Sequence, residues 1–429
     1  MNERGLVLKL LLRVQNDGGY SNILLDSELE RYDFNTSQKA FVTALFYGVI
    51  ERSITLDYYI SRLSKTKINK LSPVILNILR IGIYQIEYLN SVPDSAAVNE
   101  CVLLTKKNEN PRLSGFVNAV LRSYIREREN LSLPPDGLER LSVLYSCPKP
   151  LVKKLCDEYG DKAAQEFLKS SLEPAKLFVR VNTLKTDAKT LSDILISDGV
   201  RIGNFGFDEN VLCVSGKALL SSAFKNGLFY VQDYSSQLAA RSLGAQSGER
   251  ILDICSAPGS KAFTLALDMK NKGQIVACDL YEHKISLIKK GAERLGIGII
   301  NARVSDATAV NSAMGKFDRV LCDVPCSGFG IIKRKPEIKY KPLDEINDLP
   351  RLQRMILKNA AGYLKHGGVL VYSTCTLNRD ENDKVIDGFL RDNKDFEAVQ
   401  EFDGNHKKTI MPKDFGSDAF FISKIRRRD

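Results

Sequence analysis

The sequence predicts a multidomain chain in three parts: an all-α helix bundle, a small α+β module, and an α/β domain built on a doubly wound, mostly parallel sheet. Three observations carry this. In the first 130 or so residues apolar side chains recur at helical spacing. From about residue 250 onward, short apolar runs alternate with helical patterns, which is the signature of strands joined by crossover helices. Between the two regimes, Pro134-Pro135 marks a linker by composition. The expected bounds are residues 1–135, 136–233 and 234–429.

The elements follow in order. The start, M-N-E-R-G-L-V-L-K-L-L-L-R, is broken by Lys9 and Arg13 and reads as an amphipathic core helix rather than a targeting segment. Residues 38–61 place Phe41, Leu45, Val49 and Ile50, then Leu56 and Ile60, at helical spacing with a break near Ser53. Ser72-Pro73 reads as an N-cap followed by proline at the first helical position, opening 74–89. Pro93-Asp94-Ser95 opens 96–107, and 116–128 closes the bundle. The middle module reads as helix over 138–171, strand over 176–182, helix over 188–198 and strand over 227–232. In the last part, strands are expected at 251–254, 274–280, 299–304, 317–324 and 368–375, with helices at 261–269, 284–295 and 349–364.

Composition bounds the function classes. A chain of 429 residues, 44% hydrophobic, buries two or three cores. The net charge of +10 suits a polyanionic partner without establishing one. Nine cysteines with no C-x-x-C pair argue against a zinc site or a disulfide framework and for reduced thiols. No run is long enough to span a bilayer, so a soluble, cytoplasmic protein without membrane association is expected.

The stretch R-I-L-D-I-C-S-A-P-G-S-K-A (250–262) is a strand emptying through small residues into a helix, which makes a ligand cradle. It lacks the three glycines that a dinucleotide's pyrophosphate needs, so a smaller or less anionic ligand is favoured. S-adenosylmethionine fits. Asp279 ends the next strand at the distance where an acid accepts from ribose hydroxyls, and Asp306 follows the third strand, suitably placed for the adenine edge. The plainer reading of both is a strand-end turn residue.

Two cysteines carry the chemistry. Cys326 lies in D-V-P-C-S-G at the end of the fourth strand and Cys375 in Y-S-T-C-T at the end of the fifth. Carbon 5 of cytosine becomes nucleophilic only when something adds to carbon 6, and a thiolate beside a methyl donor does this. Asp323 precedes Cys326 and is placed to hydrogen-bond the cytosine ring nitrogen. For Cys101, Cys147, Cys156, Cys213, Cys278 and Cys322 the default is a small buried hydrophobe. The residues alone leave open which of Cys326 and Cys375 attacks.

Two resemblances extend this reading. The runs I-L-R-I-G-I-Y-Q-I-E-Y-L-N-S-V-P-D-S-A-A-V-N-E (78–100) and G-F-V-N-A-V-L-R (115–122) resemble the RNA-binding bundle of the NusB antitermination family. Lys106, Lys107, Arg112, Arg122, Arg126 and Arg128 then become candidates for RNA contact. V-R-V-N-T-L-K (179–185) and Y-V-Q-D-Y-S-S-Q-L-A (230–239), with D-I-C-S-A-P-G-S-K, C-D-V-P-C-S-G and Y-S-T-C-T, are similar to the Sun/Fmu group of bacterial ribosomal RNA cytosine-5 methyltransferases. That resemblance implies a NusB-like bundle, a linker module and a Rossmann-like class I methyltransferase domain with a seven-stranded sheet. It implies S-adenosylmethionine as cofactor and Cys255, Ser256, Ala257, Pro258, Gly259, Ser260, Lys261, Asp279, Asp306 and Asp323 as its contacts. It assigns Cys375 as the nucleophile and Cys326 to product release. The expected partner is 16S ribosomal RNA before the subunit is fully assembled, met by a monomer. The rivals are a transfer RNA cytosine-5 methyltransferase, which the bundle disfavours, and a catalytically inactive RNA-binding assembly factor, which the retained cysteine pair disfavours.

The cradle departs from the group's C-A-A-P-G-G-K-T at Ser256, Ser260 and Ala262. Ser260 is the more serious change if a positive φ falls there. The basic run I-K-R-K-P-E-I-K-Y (332–340) is expected either to hold phosphates near the target base or to be a solvated charge run.

Overall fold

The computed structural model describes residues 2–17, 21–203 and 205–429. Compactness divides the chain into two units, Met1–Leu172 with Arg334–Leu343, and Glu173–Lys333 with Asp344–Asp429. The division falls later than the expected boundary near 135, because the helices Leu138–Leu144, Lys149–Tyr159 and Asp161–Ser170 group with the first unit.

The first unit is all helix. Helices Glu3–Asp17, Thr36–Glu51, Ser53–Leu63, Pro73–Tyr88, Asp94–Asn108 and Ser114–Glu127 bury Leu6, Leu10, Phe46, Ile78, Leu121 and Tyr124 in one apolar core. Ser72 Oγ accepts from Ile75 N at 3.3 Å and Pro73 takes the first helical position, as the sequence predicts. Gly82 lies where an added Cβ would come within 2.7 Å of Leu121. Two charges are buried with partners. Glu28 is fully buried and accepts from Lys9 at 2.7 Å and from Arg13 and Arg31 at 3.0 Å. Arg80 makes a two-pronged pair with Asp57, both contacts at 2.7 Å.

The run 332–340 overturns both expectations made for it at Lys339. The chain leaves the second unit after Lys333 and returns at Asp344, and the intervening Arg334–Leu343 packs within the helical unit. Lys339 is 2% exposed and donates to Glu51 O at 2.7 Å. Burial pushes its amine down to about 8. It neither faces solvent nor points at phosphate. The Tyr340 hydroxyl donates to Ile50 O at 2.8 Å, and Ser21 Oγ donates to Glu337 at 2.7 Å. Tyr340→Phe is expected to cost about 1 kcal/mol, the worth of one such bond. Urea unfolding checks this, and an unchanged midpoint would show that the hydroxyl is idle.

The second unit carries two sheets. The smaller has strands β1 (Leu177–Val181), β2 (Ile202–Gly203), β3 (Val211–Val214) and β4 (Phe229–Val231) in the antiparallel order β2-β3-β1-β4. The larger has β5 (Arg250–Asp253), β6 (Gln274–Asp279), β7 (Ile300–Val304), β8 (Phe317–Asp323), β9 (Leu364–Thr374), β10 (Phe396–Ala398), β11 (Lys407–Ile410) and β12 (Phe420–Arg427). Seven of these run in the order β10-β12-β9-β8-β5-β6-β7, and β11 adds an eighth beside β12. Strands β5 to β9 pair in parallel, β7 with β6, β6 with β5, β5 with β8 and β8 with β9, while β10, β11 and β9 pair antiparallel with β12.

The apolar runs are continuous because both sheet faces are covered. Alternate residues go to opposite cores: Ile251, Ile275, Leu321 and Val371 to one, and Leu252, Val276, Val320 and Leu370 to the other. The chain order runs outward from β5 through β6 to β7, then restarts on the other side at β8. Ligands in such sheets bind at the carboxyl ends of the strands where the order reverses, here β5 and β8.

Candidate active site

Both sequence motifs fall at this reversal. β5 ends at Asp253, and the turn 254–259 leads into helix Ser260–Asp268. The turn is pinned by Ser256 N to Cys278 O at 2.7 Å and Gly259 N to Ser256 O at 2.8 Å. The Ala257–Pro258 peptide is cis. The positive φ falls on Gly259, at +106°, and a Cβ there would meet Phe263 at 2.8 Å. Ser260 is already helical, so its replacement of glycine requires no left-handed backbone.

The expected cofactor acids separate. Asp279 is buried and turned toward the cradle, accepting from Ala257 N at 3.3 Å and Leu280 N at 2.8 Å. Asp306 is exposed two residues beyond β7 and accepts from Thr308 Oγ1 and N at 2.7 and 2.8 Å, and these bonds hold its carboxyl below the usual range. Asp323 ends β8, where Lys261 donates at 2.6 Å to one oxygen and Ser373 Oγ at 2.7 Å to the other. Burial works against the Lys261 ammonium, but Asp323 outweighs it and the net shift is upward. Cys255 is half-buried on the cradle turn, and burial pushes its thiol well above its ordinary value.

The two candidate thiols meet. Cys326 Sγ and Cys375 Sγ lie 3.2 Å apart, beyond the ends of the neighbouring parallel strands β8 and β9. The hydrogen bond to Cys375, with burial, pushes the Cys326 thiol well above its ordinary value, so it rests protonated. Lys261 is close enough to Cys375 for the two to interact electrostatically.

Sequence reasoning missed four residues. Ser373 orients Asp323, and Glu381 and Gln353 lie behind the cysteine loops. The fourth, Asp253, is fully buried with no hydrogen-bond partner on either oxygen among the described residues, and Ser256 Oγ is likewise unpartnered. Its signal was legible as a carboxylate inside the apolar run I-L-D-I. Burial pushes this carboxyl up to about 7. An unanswered acceptor in a cradle of small residues fits a ligand bearing an ammonium group beside an adenosine, which is what S-adenosylmethionine offers.

The pH consequence follows from the direction of that shift. The folded, cofactor-free protein keeps a proton on Asp253 that the unfolded chain has lost, so this group's contribution to stability falls as pH rises from about 4 to about 7. Asp253→Asn is expected to remove that fall and to weaken cofactor binding. Melting temperatures of wild type and variant compared between about pH 5 and about pH 8 test it. A difference that stays flat across that range would refute it.

The doubly wound sheet and the cradle at its reversal point define a class I, S-adenosylmethionine-dependent methyltransferase. Residues 240–426 match the family model described as 16S rRNA methyltransferase RsmB/F, and residues 1–126 match that of the NusB family. Over 99% of its length the chain is 38% identical to the probable ribosomal RNA small subunit methyltransferase B of Bacillus subtilis, covering 98% of that protein. It is 32% identical to the probable ribosomal RNA small subunit methyltransferase B of Synechocystis, with each chain wholly covered. The crystal structure of PH0851 superposes with a TM-score of 0.83 at 25% identity, over 100% of this chain and 99% of that one. The chain belongs to the ribosomal RNA small subunit methyltransferase B family.

Proposed function

We propose that this enzyme methylates carbon 5 of a cytosine in 16S ribosomal RNA through a covalent adduct between Cys375 and carbon 6. The observation that carries the reading is the pair of sulfurs 3.2 Å apart beside the cradle. S-adenosylmethionine would be held by the turn residues 255–259, by Ser260 and Lys261 at the start of the helix, and by Asp253 and Asp279, and would supply a methyl group on a positively charged sulfur. The Cys375 thiolate adds to carbon 6 and the carbon 5–carbon 6 double bond becomes a nucleophilic enamine. Asp323, oriented by Ser373 and Lys261, stabilises the ring nitrogen as it takes up a proton. Carbon 5 bonds to the methyl carbon as the methyl–sulfur bond breaks. The ring nitrogen gives its proton back, a base takes the carbon 5 proton, the double bond re-forms and the Cys375 thiolate is expelled, the stage that the resemblance assigns to Cys326. The resemblance to the Sun/Fmu group is what assigns Cys375 as the nucleophile of the pair and Cys326 to release.

A base inside a duplex hides carbon 6 in the stack, so the target is an unpaired or flipped cytosine, reached before the subunit is fully assembled. Lys106, Lys107, Arg112, Arg122, Arg126 and Arg128 are all exposed on the helical unit and supply its RNA contacts. The protein works as a monomer in the cytoplasm; among the described residues no helix is long and apolar enough to cross a membrane. Mapping 5-methylcytosine in ribosomal RNA from cells with and without the gene tests the reading. Loss of one 16S site supports it; loss of a transfer RNA site, or of none, replaces it with one of the rivals.

A further inference from the structure

We propose that Glu381, with Asn382 beside it, is the positioning residue that sets the spacing of the two thiols. The inference rests on the two-thiol reading and adds a residue that touches neither substrate nor cofactor. Glu381 is fully buried. Its Oε2 accepts from Ser327 N at 2.9 Å and Gln353 Nε2 at 2.8 Å, and its Oε1 accepts from Ser327 Oγ at 2.5 Å and Asn378 Nδ2 at 2.9 Å. All four bonds come from neutral groups. A carboxylate is the side chain that offers four acceptor sites and no donor, which is what this set of donors requires.

The network brackets both cysteines. Ser327 follows Cys326, and the carbonyl of Pro325 before it accepts from the same Gln353 Nε2 at 2.9 Å. Thr374 and Thr376 flank Cys375. Thr374 Oγ1 donates to Asn382 Oδ1 at 2.6 Å, and Asn382 Nδ2 donates to Thr376 O at 2.9 Å. The two brackets are joined by Ser327 Oγ and Thr376 Oγ1, 2.7 Å apart. Each loop is thus held on both sides of its sulfur by one buried cluster. Loops at strand ends are otherwise mobile, and reacting groups displaced by about 1 Å lose about 100-fold in rate.

Two full-length variants test the clamp. Glu381→Gln turns one acceptor into a donor facing other donors while keeping size, and Ser327→Ala removes the hydroxyl bridge with little change in volume. The first measurement is bridging of Cys326 to Cys375 by the bifunctional reagent dibromobimane in cofactor-free protein, located by peptide mapping. Wild type is expected to bridge readily, Glu381→Gln at least about 10-fold more slowly, and Ser327→Ala between them. The second is steady-state methyl transfer to 16S ribosomal RNA, where kcat is expected to fall about 100-fold in Glu381→Gln with the KM for S-adenosylmethionine within about two-fold of wild type. A merely structural carboxylate would lower the active fraction without slowing bridging in the folded protein. Should Glu381→Gln fail to fold, Ser327→Ala decides alone. Wild-type bridging rates in the folded variants overturn the clamp. Slowed bridging in variants of an enzyme that transfers no methyl group keeps the clamp and overturns the functional reading instead.

Discussion

Cys375→Ala is expected to abolish methyl transfer, by at least about four orders of magnitude, since without a thiolate at carbon 6 no enamine forms and carbon 5 has no reactivity to offer. Cys326→Ala is expected to fail differently. It leaves the proposed attacking sulfur, the cradle and the Asp323–Lys261 pair in place and removes the group 3.2 Å from Cys375 that is proposed to act when the adduct collapses. The variant should transfer one methyl group per molecule and then stall, with RNA covalently attached and surviving denaturation. Denaturing gels after incubation with 16S ribosomal RNA and labelled S-adenosylmethionine show both outcomes at once. An adduct in Cys375→Ala rather than Cys326→Ala would exchange the two assignments. The converse double variant, Cys326→Ala with Cys375→Ala, should form no adduct, which ties the trapped species to the Cys375 sulfur.

The parts of this fold that were legible in the sequence are those where burial leaves one pattern available. The central strands β5, β6 and β8 are covered on both faces, so each carries a continuous apolar stretch, I-L, I-V-A-C and V-L-C, and their ends fall within a residue of expectation. The antiparallel strands β10 to β12 are different. β11 reads K-K-T-I and β10 only F-E-A, short and half-polar, so neither apolar continuity nor alternation distinguishes them from loop. The cysteine pair was readable because each thiol ends a recognisable strand. Glu381 was not, because N-R-D-E-N-D looks like a solvated acidic turn until the fold brings Ser327 and Gln353 to it. Lys339 was misread for the same reason in reverse. Its composition context is basic and polar, yet its burial is set by helices far away in the sequence.

Lys261→Met is expected to lower kcat by about 100-fold or more while leaving the protein folded. The side chain does two things at one point. It neutralises Asp323, which is three-quarters buried and takes its other hydrogen bond from Ser373, and it places a positive charge near the sulfur of Cys375, the proposed nucleophile. Methionine keeps the apolar stem over the Phe420 ring, where the ammonium now lies 5.2 Å from the centroid, so packing is largely preserved. What is lost is the charge. Asp323 is then left without its cation, and removing one partner of a buried pair is more damaging than removing both. Asp323→Asn added to Lys261→Met should therefore cost less than the sum of the two single changes, in stability and in rate, because the pair acts as a unit. Thermal melts and single-turnover methyl transfer on the four proteins of the cycle measure the coupling. Additive losses would mean that Lys261 and Asp323 serve the reaction separately, one at the cofactor and one at the base.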